Sequence, residues 1–276
     1  MNITRIFAIV GILTFVVADG ILFLTRDEQI LTISGDLSPI ILSFLVVVCG
    51  LLVCTLDKRV QERYSWLLLV VAFLFRMFGE SFWAFYELAL QVDVPSPSVA
   101  DIGWLISYVA ILAGLSYKAW YVELKNKTRI VWGLLGAATL LSAVYILLQS
   151  RLLLQAPVGF DVTSFVINSL YVVFDIYIIA VLVLIFFPAL TGYGRMFRSD
   201  VFFALAFVSF ALFDLVFAHK VFWDTYMTGD FIDLFYDGGY LLLLLAAHFR
   251  YSVLREYQSN GVQNPKKRKN SKDNEA

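Results

Sequence analysis

Apolar residues run through this chain in long unbroken stretches separated by short polar breaks, and the length of those stretches constrains the fold first. Eight of them approach or exceed the ~20 residues a helix needs to cross a ~30 Å hydrocarbon layer. They lie near 6–24, 38–56, 65–90, 99–119, 129–149, 162–189, 200–222 and 231–251. The runs are continuous rather than alternating, and in lipid every backbone N–H and C=O must be paired within its own span or across a closed sheet. The pattern therefore predicts an all-α membrane fold of eight transmembrane helices with both termini on one side.

Composition agrees, since 60% apolar and 16% charged residues with a mean hydropathy of +0.79 exclude a water-soluble domain of 276 residues. Of the 21 Lys and Arg residues, 17 fall on the side of the two termini, three (Arg26, Arg151 and Lys220) fall on the other, and Arg76 lies inside helix 3. Positive residues stay on the cytoplasmic side, so both termini are expected in the cytoplasm of a multi-pass protein of the cell membrane. The net charge of −1 hides this split and gives no reason to expect a nucleic-acid partner. The first run is longer than a signal h-region and lacks an A-x-A-like cleavage site, so it reads as a retained helix. Cys49 and Cys54 stand five residues apart on different faces of helix 2, which suits buried thiols and neither a disulfide nor a metal. The membrane domain is expected to span 1–256, and 257–276 reads as a disordered basic tail lying against anionic lipid.

Charges at bilayer depth are costly and normally face a bundle interior, pair with one another or line a path. Asp19, Arg76, Glu80, Glu87, Asp101, Asp214, Asp233 and Asp237 all lie within the apolar runs or at their outer ends, and Asp175 is a further single signal on helix 6. On helix 3, Arg76, Glu80, Trp83 and Glu87 recur at three- and four-residue steps and share one face. That spacing predicts either a fixed Arg76–Glu80 ion pair that only neutralises two buried charges, or a site in which Glu80 and Glu87 face an outward-opening cavity with Arg76 as counter-ion or anion clamp.

A shift of 132 residues lays Asp101 on Asp233, Trp104 on Tyr236 and Tyr108 on Tyr240. The recurrence of D-x-x-[W/Y]-x-x-x-Y at the start of a helix predicts a duplication into halves 1–124 and 125–256, with any shared site between them. Ser98 to Asp101 and Asp230 to Asp233 each read as a capping box. Asp101, Trp104 and Tyr108 share one face, as do Asp233, Asp237 and Tyr240, so the caps also form the rim of the expected site. His219 and His248 lie toward opposite membrane faces, which suits neither haem nor a metal. No cofactor is expected.

Two stretches resemble known families. Gly79-Glu80-Ser81-Phe82-Trp83-Ala84-Phe85-Tyr86-Glu87, followed by Pro97-Ser98-Val99-Ala100-Asp101-Ile102-Gly103-Trp104-Leu105-Ile106-Ser107-Tyr108, resembles the P-S-x-A-D-x-x-[W/Y]-L-x-x-Y signature of multi-helix membrane input modules. Such modules precede bacterial diguanylate cyclases and archaeal sensor histidine kinases, and the resemblance implies a sensing role. No stretch after helix 8 is long enough to fold as an output domain, so a separate cytoplasmic or membrane signalling partner is expected. Phe210-Ala211-Leu212-Phe213-Asp214-Leu215-Val216-Phe217-Ala218-His219-Lys220 is similar to a stretch of eight-helix lysoplasmalogenase-like hydrolases, and Phe15-Val16-Val17-Ala18-Asp19 echoes it. That likeness implies Asp19 and Asp214 as acid and base for water addition to a vinyl ether. A small secondary transporter is the third reading, because tandem repeats with a site between them suit alternating access.

Overall fold

The computed structural model describes residues 3–124, 126–155, 161–191 and 196–259. Among them the chain is all helical, with α1 Ile3–Leu24, α2 Glu28–Leu56, α3 Val60–Ala84, α4 Val99–Trp120, α5 Lys127–Leu153, α6 Val162–Thr191, α7 Phe197–Phe222 and α8 Asp233–Ser259. Helix α3 continues into a π-helical turn, Phe85–Leu90, which ends on Gln91 in the left-handed region. Seven of the eight helices are long and apolar enough to cross a membrane. The exception is α8, whose sequence carries Asp233, Asp237 and Arg250, yet Asp237 and Arg250 are buried. Those two side chains face the bundle interior, where intramembrane charges belong.

Helix ends differ from the hydropathy boundaries where local hydrogen bonding takes over. α2 starts at Glu28 rather than near 38, because Asp27 caps it by accepting from the backbone N–H of Gln29 at 3.0 Å and of Ile30 at 3.3 Å. α8 runs on to Ser259, so the expected tail does not begin at 257, since helical bonding does not stop where apolar character does. The rest of that tail, 260–276, lies outside the described residues.

Helices α2, α3, α4, α6, α7 and α8 follow one another as neighbours around a closed ring, with α2 against α8 and α4 against α6 completing it. α1 packs on α2 and α8 outside the ring, and α5 touches only α6 among the described residues. Exposure agrees, since only 17% of the apolar window of α1 and 11% of that of α5 is buried, against 56% for α2. The neighbour order of α1 to α4 recurs in α5 to α8, apart from the contact of α1 with α8.

The tightest helix pair is α3 with α4. A Cβ on Gly103 would meet Phe75 O at 2.7 Å and Gly79 N at 2.9 Å, and one on Gly79 would meet the Trp104 ring at 2.6 Å. Two facing glycines let the backbones approach, as small residues do between membrane helices. They thereby set Trp104 beside α3.

Candidate functional site

At one end of the bundle the ring of helices encloses two chambers that share the walls formed by Trp83, Trp104, Phe217, Tyr226 and Thr228. The inner chamber offers about 50 Å³ to the centres of water-sized spheres and the outer about 370 Å³. One water needs roughly 10–15 Å³ by that measure, so the inner chamber has room for several. The connecting wall is aromatic, with ring centroids 5.6 Å apart for Trp83–Trp104, 6.3 Å for Trp83–Phe217 and 4.7 Å for Phe217–Tyr226. The Trp83 indole donates to Glu87 Oε2 at 3.1 Å and to Thr228 Oγ1 at 3.2 Å, which anchors this wall to the loop before α8.

Arg76 lies in the deep wall, 2% exposed, with its guanidinium carbon 4.4 Å from the Phe210 ring centroid, 5.2 Å from Tyr236 and 5.3 Å from Tyr108. Desolvated cation–π contacts of this kind contribute about 2 kcal/mol. The expected Arg76–Glu80 ion pair is not formed. Tyr236 of α8 reaches between the two, accepting from Arg76 Nε at 3.2 Å and donating to Glu80 Oε1. Glu80 Oε1 accepts two more bonds, from Tyr240 at 2.9 Å and from the Trp104 indole at 3.0 Å. Glu80 is thus held by donors from α4 and α8, a tertiary arrangement that helix 3 spacing alone does not encode.

The other predicted residues distribute as follows. Tyr108 donates to Asp214, and both line the inner chamber with Asp233, Tyr236 and Asp237. Asp237 accepts from Ser38. Glu87 and Asp101 line the outer chamber, and Tyr240 backs Glu80 without reaching either chamber. Asp19 is buried on α1 but lines neither chamber, whereas Asp214 lines the inner one.

The two capping motifs part ways. Ser98 and Asp101 form the full capping box, with Asp101 accepting from Ser98 N at 2.6 Å, and Asp101 also receives the Tyr171 hydroxyl at 2.6 Å. Asp233 instead begins α8 and accepts from Gly229 N at 2.7 Å and from the Tyr226 hydroxyl at 3.0 Å. The reason is the tight turn before it, in which Asp233 N bonds Asp230 O at 2.9 Å, and Gly229 takes a φ of 88° open only to glycine at low cost. In that loop the Tyr226 phenol is held far above its ordinary pKa, first by burial and then by Asp233 beside it.

Asp36 escapes the hydropathy pattern. It precedes the apolar run that marks helix 2, but capping by Asp27 extends α2 backward and turns Asp36 into the inner chamber, 3% exposed. Among the described residues neither of its carboxylate oxygens accepts from an N–H or hydroxyl donor, and the Glu87 carboxyl lies against it. Glu87, Glu80 and Asp233 are the acids that face it. The only sequence signal was an acid three residues before Pro39.

The opposite end of the bundle is tied by ions. Arg250, 2% exposed, bonds Asp57 at 3.0 Å and Glu62 at 2.6 Å, and Arg59 grips Asp57 at 2.8 Å. Lys118 adds contacts to Glu62 at 3.4 Å and Asp200 at 3.8 Å, so α3, α4, α7, α8 and the α2–α3 corner are joined. Burial pushes the Asp57 carboxyl up, but the hydrogen bonds from Arg59 and the charge of Arg250 outweigh it and hold the group below the usual range.

Together, an all-helical and largely apolar polytopic fold with a polar interior fits an integral membrane protein. No family model matches the chain, and neither a curated protein nor a solved structure shows significant similarity to it.

Proposed function

We propose that this protein is an eight-span sensor of the cell membrane, built from two tandem four-helix halves with both termini in the cytoplasm. Its two chambers open on the extracytoplasmic side and bind a small ligand. The bound state is handed to a separate signalling partner. The observation that carries this reading is the inner chamber itself, where acids from α2, α3, α7 and α8 converge behind an aromatic entrance, one of them without an N–H or hydroxyl donor among the described residues. Buried acids of this kind mark ligand or ion sites in membrane proteins. The resemblance of the helix 3 and 4 region to membrane input modules supports the same reading. So does the recurrence of helix neighbours between the halves, since both contribute to the chamber.

Coupling follows from the connections. A ligand that engages Asp36 and Glu80 links α2 to α3, and the Tyr236 and Tyr240 hydroxyls carry any movement of Glu80 to α8. α8 also bears Arg250 of the ion cluster at the far end. A ligand shifts such a system only by its differential affinity for two states.

A thermal-stability screen of purified protein against small metabolites and lipid headgroups tests the proposal. A ligand present at 100 times its Kd stabilises by roughly 2.7 kcal/mol, and Glu80→Gln is expected to lose that stabilisation while remaining folded. Full stabilisation of both Glu80→Gln and Asp36→Asn would place the binding elsewhere and sink the chamber as the site. A chamber open at one end with ion pairs fastening the other also favours a transporter as a second reading, and solute uptake into proteoliposomes distinguishes it from a sensor.

A further inference from the structure

Resting on the reading that the chambers hold a ligand, we infer that this ligand is a small protonated organic amine, with Asp36 as its counter-ion. The charge inventory of the inner wall comes first. Asp36, Glu80, Asp214, Asp233 and Asp237 line it against a single cation, Arg76. Arg76 is ringed by aromatic side chains, and its Nε donates to Tyr236. Five carboxyl groups against one guanidinium complement a cation, which can take the place of a carboxyl proton, better than an anion.

The acids divide by what already satisfies them. Glu80 accepts from three side chains, Asp233 from Tyr226 and Gly229, Asp237 from Ser38 and Asp214 from Tyr108. Asp36 accepts from none, although it is 3% exposed. A buried carboxylate without donors is expensive to maintain. Glu87 approaches it closely enough for the two carboxyl groups to share a proton, so that end of the chamber sets acid against acid with no basic donor between them among the described residues. A donor bearing positive charge supplies both missing features at once.

Shape narrows the class. The inner chamber, which Asp36 lines, suits a head group of a few heavy atoms, and the larger outer chamber takes the body of the molecule. Between them a cation passes Trp83, Trp104, Phe217 and Tyr226, whose ring faces attract positive charge. Among the described residues no three acids close to metal-ligand spacing, so the geometry favours an organic head group over a bare metal ion. Two open acceptor oxygens on Asp36 call for N–H donors, which an ammonium carries and a quaternary nitrogen lacks.

The test uses the full chain in nanodiscs with four probes of one shape: 2-phenylethylamine, its trimethylammonium analogue, 2-phenylethanol and 3-phenylpropionate. Binding is read by tryptophan emission and by thermal shift. The amine is expected to bind, the quaternary analogue more weakly, and the alcohol and carboxylate not at all. Asp36→Asn should weaken the amine by about tenfold or more, and Asp36→Glu should restore part of the affinity. Without ligand, Asp36→Asn should unfold no earlier than the wild type, because it replaces a buried carboxyl that faces another acid with a neutral amide able to donate to Glu87. Preference for the carboxylate, or amine binding untouched by Asp36→Asn, overturns the amine assignment while leaving the chamber as a site. If no probe binds but a metabolite from the stability screen does so in a Glu80-dependent way, the amine alone is wrong. If neither binds, both proposals fall.

Discussion

Replacing Gly103 by alanine tests how the α3–α4 contact builds the chamber. The new Cβ would lie 2.7 Å from the Phe75 carbonyl oxygen and 2.9 Å from the Gly79 nitrogen, both backbone atoms that cannot rotate away. Bringing the first contact to 3.4 Å requires the helices to part by about 0.7 Å. Glu80 stands on α3 and Trp104 on α4, so the same movement stretches their 3.0 Å hydrogen bond to the edge of, or beyond, bonding distance. Overpacking costs about 1–3 kcal/mol and an unmade bond to a buried carboxylate about 1–3 more. Alanine's better helix propensity returns only about 1 kcal/mol. The net expectation is a loss of about 1–5 kcal/mol, measured by reversible unfolding in mixed micelles, together with a red shift of tryptophan emission. Gly133→Ala on α5 is the control, since a Cβ there meets nothing within 4 Å and should leave stability unchanged or slightly raised. If Gly103→Ala matches Gly133→Ala in stability and emission, the close contact does not position Trp104 and the reasoning fails.

Two further outcomes concern the ion-tied end. Arg250→Met leaves Asp57, whose side chain is 1% exposed, with Arg59 as its only ion-pair partner among the described residues. Breaking a buried pair from one side should cost about 3–5 kcal/mol, and adding Asp57→Asn should cost less than the sum of the single changes in a double-mutant cycle. Because the folded Asp57 carboxyl lies below its ordinary value, its contribution is complete above the unfolded pKa of about 3.9. It disappears as pH falls through the folded value, so acid unfolding curves should show a smaller loss below about pH 4 in Asp57→Asn than in the wild type.

How much of this could be read from the chain varies by residue. Asp101 was legible as a cap because Ser98 stands three residues before it, and capping is a local bond. Asp233 carries the same pattern but bonds Gly229 and Tyr226, since the loop's left-handed glycine redirects it. Arg76 and Glu80 were legible as a shared face of helix 3, but not as groups bridged by Tyr236 from a helix 160 residues away. Arg250 and Asp57 gave no signal as partners, because they stand 193 residues apart near the ends of apolar runs, where charges are ordinary. Asp36 was missed because hydropathy marks where lipid begins and not where a helix begins.

The order of apolar runs and polar breaks determined, without any coordinates, that this chain forms long helices with acids and Arg76 set within their apolar stretches. Burial of apolar length and backbone pairing in lipid are properties each segment carries by itself. Which acids share one chamber, which are satisfied by tyrosines from other helices and which is left open were decided only when the ring of six helices closed. Those relations depend on the azimuth and depth at which distant segments meet, and a side chain three positions from another on one helix cannot specify what arrives from across the bundle.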